Sequence, residues 1–440
     1  MRIKRLQLVH VRAFEHMELD FTPGLNLLVG INGAGKSTIL EALAICLSRI
    51  LPGISASQSP PRAFGIEDIQ GAAPYLDAEL VIDVGGKEFR YLRHQQREPF
   101  VSGTPGAVAP RDRLRLERRR DRPGRLRERL RELQATPAAP DLDTYTPELG
   151  TLRATVRSAK DRPLGIYFST TRSVIPGKVA SSKRAVGGEA AAFADALASR
   201  EMQLGELAAW MGAQELLRAE DPRAAKHLVA LRRAASGFLP QCQNLRAEAD
   251  PRPRLLVDKN GLALDARQLS DGERSLLALA LDLARRLSQA NPNAADPVKQ
   301  GRAVVLIDEL DLHLHPRWQR TVVERLTEVF PRCQFIATTH SPQIIAGVEP
   351  EQVVLLTASG PMRPDRSLGM DSNWILRNIM EADERPAEAA EALRAVEAAI
   401  QRSAFKQARA RMAAARKNGL ELSEWPILEA RMKRLELLAR

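Results

Sequence analysis

The chain has 440 residues, 44% hydrophobic and 27% charged, with 65 Lys and Arg against 54 Asp and Glu and a formal net charge of +11. These proportions exclude wholesale disorder, and the length accommodates two or three modules with a sizeable core. No uninterrupted apolar run approaches the roughly 18 residues of a membrane span, and the opening MRIKRLQLVHVRAF lacks the apolar stretch of a signal peptide, so no membrane association is expected.

Cys46, Cys242 and Cys333 are far apart and form no C-x-x-C pair. Reduced, buried thiols in a cytoplasmic protein follow, rather than a zinc knuckle or a disulfide framework. Aromatic residues make up only 4%, which argues against an array of base-stacking platforms.

Along the chain, Met17, Leu19 and Phe21 alternate with polar residues, and Leu25 to Val29 form an apolar run ending at Gly30. That pattern predicts strands, followed by a helix over Ser37 to Ile50. Ala78, Leu80, Ile82 and Val84 alternate up to Gly85-Gly86, and Phe89 and Tyr91 alternate after it, as in a β-hairpin. Composition shifts near residue 100. Arg111 to Glu132 is arginine-dominated, with 11 Arg against 5 acids, and its second half has helical leucine spacing. Thr136 to Pro147 reads as a loop, Leu164 to Phe168 as a buried strand and Glu189 to Glu220 as helical. Lys259-Asn260-Gly261 marks a second hairpin, and a long helix is expected from about Asp271. Val304 to Ile307 and Phe335 to Thr338 are further strands. From Pro386 the chain reads as helical, with a break near Asn418-Gly419.

The sequence from Gly30 to Ser37, GINGAGKS, fits G-x-x-x-x-G-K-[ST] between an apolar strand and a helix. Glycines let backbone N–H groups wrap a phosphate at a helix N-terminus, where the dipole favours anions. Lys36 would neutralise the β- and γ-phosphates and Ser37 would ligate Mg2+. Asn32, Gly33, Ala34, Gly35, Lys36, Ser37 and Thr38 are therefore the expected ATP-binding set. The apolar strand Ala303 to Ile307 ends in Asp308-Glu309. Hard carboxylate oxygens suit Mg2+, so Asp308 is expected to hold the metal and Glu309 to polarise the attacking water.

Ser270, Gly272 and Glu273 open a helix. Ser270 and Glu273 make a capping box, and the free N–H groups at the same helix start suit an anion. His340, at a strand end past the acidic pair, is the candidate switch to the γ-phosphate. His313 and His315 stand at i, i+2, but no third metal ligand is evident.

The order of these motifs resembles the ABC-type ATPases related to RecF, SMC and OLD proteins. Within them it is most similar to the anti-phage Septu (PtuA) ATPases, including versions found beside retron reverse transcriptases. GINGAGKST, QLSDGERS, VVLIDELDLHLHPRWQR, QFIATTHSPQII and SNWILRNIMEADERP carry the likeness, over residues 1–100 and about 250–385. The resemblance implies an α/β P-loop fold of ABC-ATPase type with an antiparallel β lobe, an inserted helical arm and a C-terminal helical extension. It implies that Arg12 contacts adenine and that Gln70 is the candidate sensor of the γ-phosphate and Mg2+. It also implies that the helix opened by Ser270, Gly272 and Glu273 is the ABC-type signature helix, and that head-to-tail dimers sandwich ATP between Lys36 of one subunit and Ser270 of the other. An HNH nuclease partner in trans, and in a retron-linked version a reverse transcriptase with its RNA–DNA, would follow.

The expected divisions are an N-terminal ATPase lobe over 1–104, a helical insertion over 105–245, a C-terminal ATPase lobe over 246–370 and a helical extension over 371–440. The insertion is too short for an SMC-length coiled coil. Two other readings stay open: a RecF/SMC-like DNA repair ATPase and a transporter ATPase subunit. The 272-residue separation of Lys36 and Asp308 accommodates an inserted lobe and disfavours the transporter. No E…D-x-D constellation gathers after Ser341, so no nuclease centre of the chain's own is expected. The charge concentrates in two places. Residues 111–132 and 401–440 each carry +6, and the rest of the chain sums to −1. Both are candidate nucleic-acid contacts as well as ordinary solvated helix faces.

Overall fold

A computed structural model describes residues 1–97, 142–158, 162–170, 188–199, 202–250, 252–382 and 386–438. The arginine-rich segment 111–132 lies outside the described residues. The chain divides into two compact units, Met1–Asp371 and Ser372–Arg440.

Among the described residues the first unit is built on three sheets. The strands β1 (Arg2–Val11), β2 (Phe14–Asp20), β4 (Tyr75–Val84), β5 (Lys87–Gln96) and β6 (Leu142–Thr146) form an antiparallel sheet in the order β2-β1-β4-β5-β6. Strands β1 and β4 largely alternate buried and half-buried side chains because only one face meets the core. The second sheet, β14-β13-β3-β12-β11-β7, joins β3 (Leu25–Val29), β7 (Gly165–Phe168), β11 (Val304–Ile307), β12 (Gln334–Thr338), β13 (Val353–Thr357) and β14 (Gly360–Met362). All its pairings are parallel except β13 with β14. Every residue of β3, β7, β11 and β12 is buried, and this explains their unbroken apolar runs.

Helix α1 (Lys36–Ile54) packs among both sheets, and residues of all three share one apolar core. Among the described residues α1 is also the one helix long and apolar enough to cross a membrane. Its burial between sheets accounts for that apolarity. Gln334 ties the sheets together: Ile3 N–H donates to its Oε1 at 2.7 Å, and its Nε2 donates to Ile3 O at 2.9 Å.

The third sheet, β10-β9-β8, comprises β8 (Cys242–Glu248), β9 (Arg254–Lys259) and β10 (Leu262–Asp265). Asn260 and Gly261 both take positive φ, as the hairpin turn between β9 and β10 requires. Helix α2 (Leu149–Ser158) contacts α1, and α3 (Leu204–Leu217) and α4 (Pro222–Phe238) pack beside α5 (Asp271–Ala290).

Two stretches differ from the sequence expectation. Residues 142–146, expected as loop, form edge strand β6 because Asp143 accepts from Tyr91 Oη at 2.6 Å and pairs with Arg49 at 2.7 Å. Together with β7 it means that the region 105–245 contributes a strand to each large sheet, in addition to its helices. Residues 189–199, expected as continuous helix, form a short 3-10 turn and bends. The buried Arg286 on α5 donates from Nη1 to Ala192 O at 2.8 Å and to Ala194 O at 3.0 Å, bonds that outcompete the local helix preference.

In the second unit, helices Ala387–Gln401, Phe405–Lys417 and Trp425–Leu438 bury Val396, Ile400, Met412, Trp425 and Met432 in a core of their own. Arg409–Glu436 at 2.6 Å and Arg416–Glu429 at 2.9 Å join the last two helices. Ser403 takes φ +57 in the first break, and Gly419 takes φ +81 in the second.

Candidate functional site

From Val29 at the end of β3 the chain turns through Gly30 to Gly35 into α1. Gly35 caps the helix at φ +89, and a Cβ there would fall 2.2 Å from Phe14 Cζ, so both conformation and space require glycine. Among the described residues no side chain caps α1. Its first N–H groups have no intrahelical partner, and such an uncapped start favours a bound anion. Asn32, Gly33 and Ser37 are exposed, while Ala34, Gly35 and Thr38 are half-buried.

Lys36 is buried, and its Nζ donates to Gly30 O at 2.9 Å and Ile31 O at 3.0 Å. The loop thus folds over the ammonium and fixes its position. Burial lowers the Lys36 pKa, against the opposing charges of Asp308, Glu309 and Asp311. The phosphate loop and the acidic strand end therefore act on one another electrostatically.

The strand order explains how the acids are held. β12 lies between β3 and β11, so β11 does not border the phosphate-loop strand directly. Thr338, the last residue of β12, reaches across to the end of β11. Its Oγ1 donates to Asp308 Oδ1 at 2.6 Å and accepts from Glu309 N–H at 2.7 Å. Leu310 N–H donates to Thr338 O at 2.8 Å. Glu309 sits at φ +49, a left-handed backbone uncommon outside glycine.

Asp311 accepts from Thr339 Oγ1 at 2.6 Å and from His340 N–H at 3.1 Å. It thereby links the turn after the acidic pair to the candidate switch. Sequence reasoning did not single out Asp311, Thr338 or Thr339 for these roles. The available signals were an acid three residues past Asp308 and paired threonines before His340.

Ser270 caps α5. Its Oγ donates to Glu273 Oε2 at 2.9 Å, and Glu273 N–H returns a bond to that Oγ at 3.4 Å. Burial alone would raise the Glu273 carboxyl, but bonds from Lys259, Ser270 and Gln241 outweigh it and hold its pKa below the usual value. A Cβ on Gly272 would lie 2.7 Å from His313 O, so the candidate signature helix α5 starts directly against the turn that follows Asp311. His315 serves as a cap, with Nδ1 accepting from Arg317 N–H at 3.2 Å at the short helix Pro316–Gln319.

Arg12 lies at φ +49. Its Nε donates to Asp68 Oδ1 at 2.6 Å and its Nη2 pairs with Glu41 on α1 at 2.5 Å. Although burial lowers the Arg12 pKa, these carboxylates raise it overall. Gln70 is half-buried, and its N–H donates to His10 O at 2.9 Å.

Ser37 and Asp308 offer the hard oxygens that Mg2+ takes. Among the described residues no group of three or more His, Cys, Asp or Glu gathers for a metal. Mg2+ keeps several waters and shares phosphate oxygens, so this sparse donor set fits it.

The Retron Ec83 probable ATPase of Escherichia coli is 42% identical over 164 residues, 37% of this chain and 30% of that protein. The Septu protein PtuA of Bacillus mycoides is 42% identical over 88 residues, 20% of this chain and 12% of that protein. The chain thus matches less than a third of the length of these curated relatives. Among solved structures, a Smc head bound to the C-winged helix domain of ScpA matches with a TM-score of 0.46 at 14% identity, covering 84% of this chain and 98% of that one. A family model spans residues 25–346, which take in the phosphate loop, the signature helix, the acidic strand end and His340. The chain belongs to that family, described as "AAA domain, putative AbiEii toxin, Type IV TA system".

Proposed function

We propose that the chain is the ATP-binding and ATP-hydrolysing regulatory subunit of an anti-phage defence system, acting on a partner nuclease in trans. The observation that carries this reading is the buried Lys36, fixed over the phosphate loop by Gly30 O and Ile31 O and subject to the charges of Asp308, Glu309 and Asp311. Such a site is preorganised for a nucleotide triphosphate before it arrives. Relatives named as a retron ATPase and a Septu PtuA supply the defence setting.

On this reading the free N–H groups at the start of α1 bind the β-phosphate and Lys36 bridges the β- and γ-phosphates. Ser37 and Asp308 would hold Mg2+, which would supply neutralisation of phosphate charge. Glu309 orients the attacking water, and His340 contacts the γ-phosphate. Arg12 and Gln70 stand in their expected roles at adenine and γ-phosphate. Ser270, Gly272 and Glu273 of a second copy complete the site, so nucleotide occupancy sets subunit geometry and can switch the nuclease. An HNH enzyme, or a reverse transcriptase with its RNA–DNA, fits as the partner of such a switch.

The test combines Glu309→Gln and Lys36→Ala in cells that carry the neighbouring genes. Glu309→Gln is expected to retain ATP and strengthen dimers, and Lys36→Ala to lose nucleotide binding. Both should lose protection in plaque counts. Protection that survives Lys36→Ala sinks the reading.

A further inference from the structure

We propose that Thr338 is a positioning residue for ATP hydrolysis, its hydroxyl setting Asp308 and Glu309 in their working geometry. The inference rests on the hydrolytic reading above. Thr338 ends β12, the strand between the phosphate-loop strand and the acidic strand, and its register partner in β3 is Leu28. It is fully buried, and Asp308 is 4% exposed. Water therefore does not readily replace bonds made here.

One hydroxyl has one hydrogen and two lone pairs. At Thr338 the hydrogen goes to Asp308 Oδ1 at 2.6 Å, and a lone pair takes Glu309 N–H at 2.7 Å. The Thr338 carbonyl accepts from Leu310 N–H at 2.8 Å. The three consecutive residues Asp308, Glu309 and Leu310 thus all bond to one residue of the neighbouring strand. That is the arrangement needed to keep Glu309 at φ +49, since a left-handed non-glycine backbone persists only where its surroundings fix it. A relaxed backbone would swing the Glu309 carboxylate away from its water. Donation to Asp308 likewise fixes which carboxylate oxygen faces the strand. Thr338 never needs to touch nucleotide for these effects.

The experiment compares wild type with Thr338→Val, which keeps shape and removes the hydroxyl, and Thr338→Ser, which keeps the hydroxyl. Steady-state ATP hydrolysis, nucleotide affinity and thermal melting are measured on the full chain. Thr338→Val is expected to lower kcat about 100-fold with ATP affinity little changed, the effect of small misplacement at a reacting centre. Thr338→Ser is expected to stay within about threefold of wild type. A double-mutant cycle separates positioning from general destabilisation. In a Glu309→Gln background, Thr338→Val should add almost nothing to the loss of kcat, because both act through one group. If Thr338→Val does not fold, Thr338→Ala removes the same hydroxyl and takes its place in the cycle. Thr338→Val that matches wild-type kcat, or losses that simply multiply in the cycle, overturn the role of Thr338 and leave the hydrolytic reading standing. A wild-type chain that binds ATP without hydrolysing it overturns both.

Discussion

Gly272 lies against the carbonyl of His313, so close that a Cβ at residue 272 would sit 2.7 Å from that oxygen. The contact is backbone on backbone, and neither partner can yield by rotating a side chain. It joins the start of the signature helix to the turn after Asp311, whose carboxylate in turn holds His340 N–H at 3.1 Å. The candidate γ-phosphate switch and the candidate partner-facing helix are thus connected within one unit.

Gly272→Ala tests this contact. In an open helix the change would stabilise by about 0.5–1 kcal/mol through reduced unfolded-state entropy. Here the methyl must displace the His313 backbone or the helix start, so a net loss of about 1–3 kcal/mol is expected, as for overpacking. Urea unfolding gives the stability change. Nucleotide-dependent dimerisation, followed by light scattering, should weaken with it.

Glu273 provides a pH test with a defined sign. Its folded pKa is depressed, so its contribution is complete above the unfolded value of about 4.3 and fades as pH falls through the lower folded value. Burial opposes the ionised form. The 2.7 Å bond from Lys259 Nζ and the capping bonds from Ser270 nevertheless prevail. Glu273→Gln should cost about 1–3 kcal/mol at neutral pH, typical of hydrogen bonds to a charged group. Wild type and variant should converge as pH drops below about 4.3, which denaturant midpoints at pH 7, 5 and 3.5 would show.

Arg12 is tied to two carboxylates, and Asp68, one of them, is buried. Asp68 Oδ2 also accepts from Gly65 N–H at 2.7 Å, which orders the segment leading to Gln70. Arg12→Ala should lower stability by about 1–2 kcal/mol, a value discounted because the arginine is partly exposed. An adenine-contacting arginine adds a second effect, a loss of about tenfold in ATP affinity, equal to about 1.4 kcal/mol. Calorimetric binding alongside thermal melts distinguishes the two. Lys should substitute poorly, since a point charge does not reproduce the forked pairing with Asp68 and Glu41.

Much of the fold was legible because burial on both faces leaves a plain mark. The runs LNLLV, VVLI and QFIAT had to be central strands of a covered sheet, and Asn260-Gly261 had to turn a hairpin. β6 was less legible, because LDTYT is polar and flanked by prolines and pairs through Tyr91 and Arg49, far away in sequence. The 189–199 turn was hidden for a related reason, since Arg286 sets it from 94 residues beyond Ala192. At the site, motif spacing exposed Lys36, Asp308 and Glu309. It did not expose Thr338 or Asp311, whose importance depends on which strand ends meet in space. A threonine at a strand end is common, and only its neighbour across the sheet makes it a brace.

Asp311 offers the sharpest test of the connection from His340 to the signature helix. Its Oδ1 accepts from Thr339 Oγ1 at 2.6 Å and from His340 N–H at 3.1 Å, while its carbonyl accepts from Leu314 N–H at 2.9 Å. The first two bonds fix the backbone that carries the imidazole, and the third closes the turn whose His313 carbonyl meets Gly272. Asp311→Ala removes the first two and leaves the third. The turn should therefore persist while His340 loses its anchor, and the buried Thr339 hydroxyl loses its acceptor. A stability cost of about 1–3 kcal/mol is expected from that unsatisfied group. Hydrolysis should fall further than stability accounts for, by about 10- to 100-fold in kcat, if His340 is the γ-phosphate switch proposed above and is displaced from it. Asp311→Asn retains an acceptor oxygen and should recover most of the stability. If Asp311→Ala hydrolyses ATP at the wild-type rate while the fold is intact, His340 does not depend on this anchor and the link to the signature helix carries no signal.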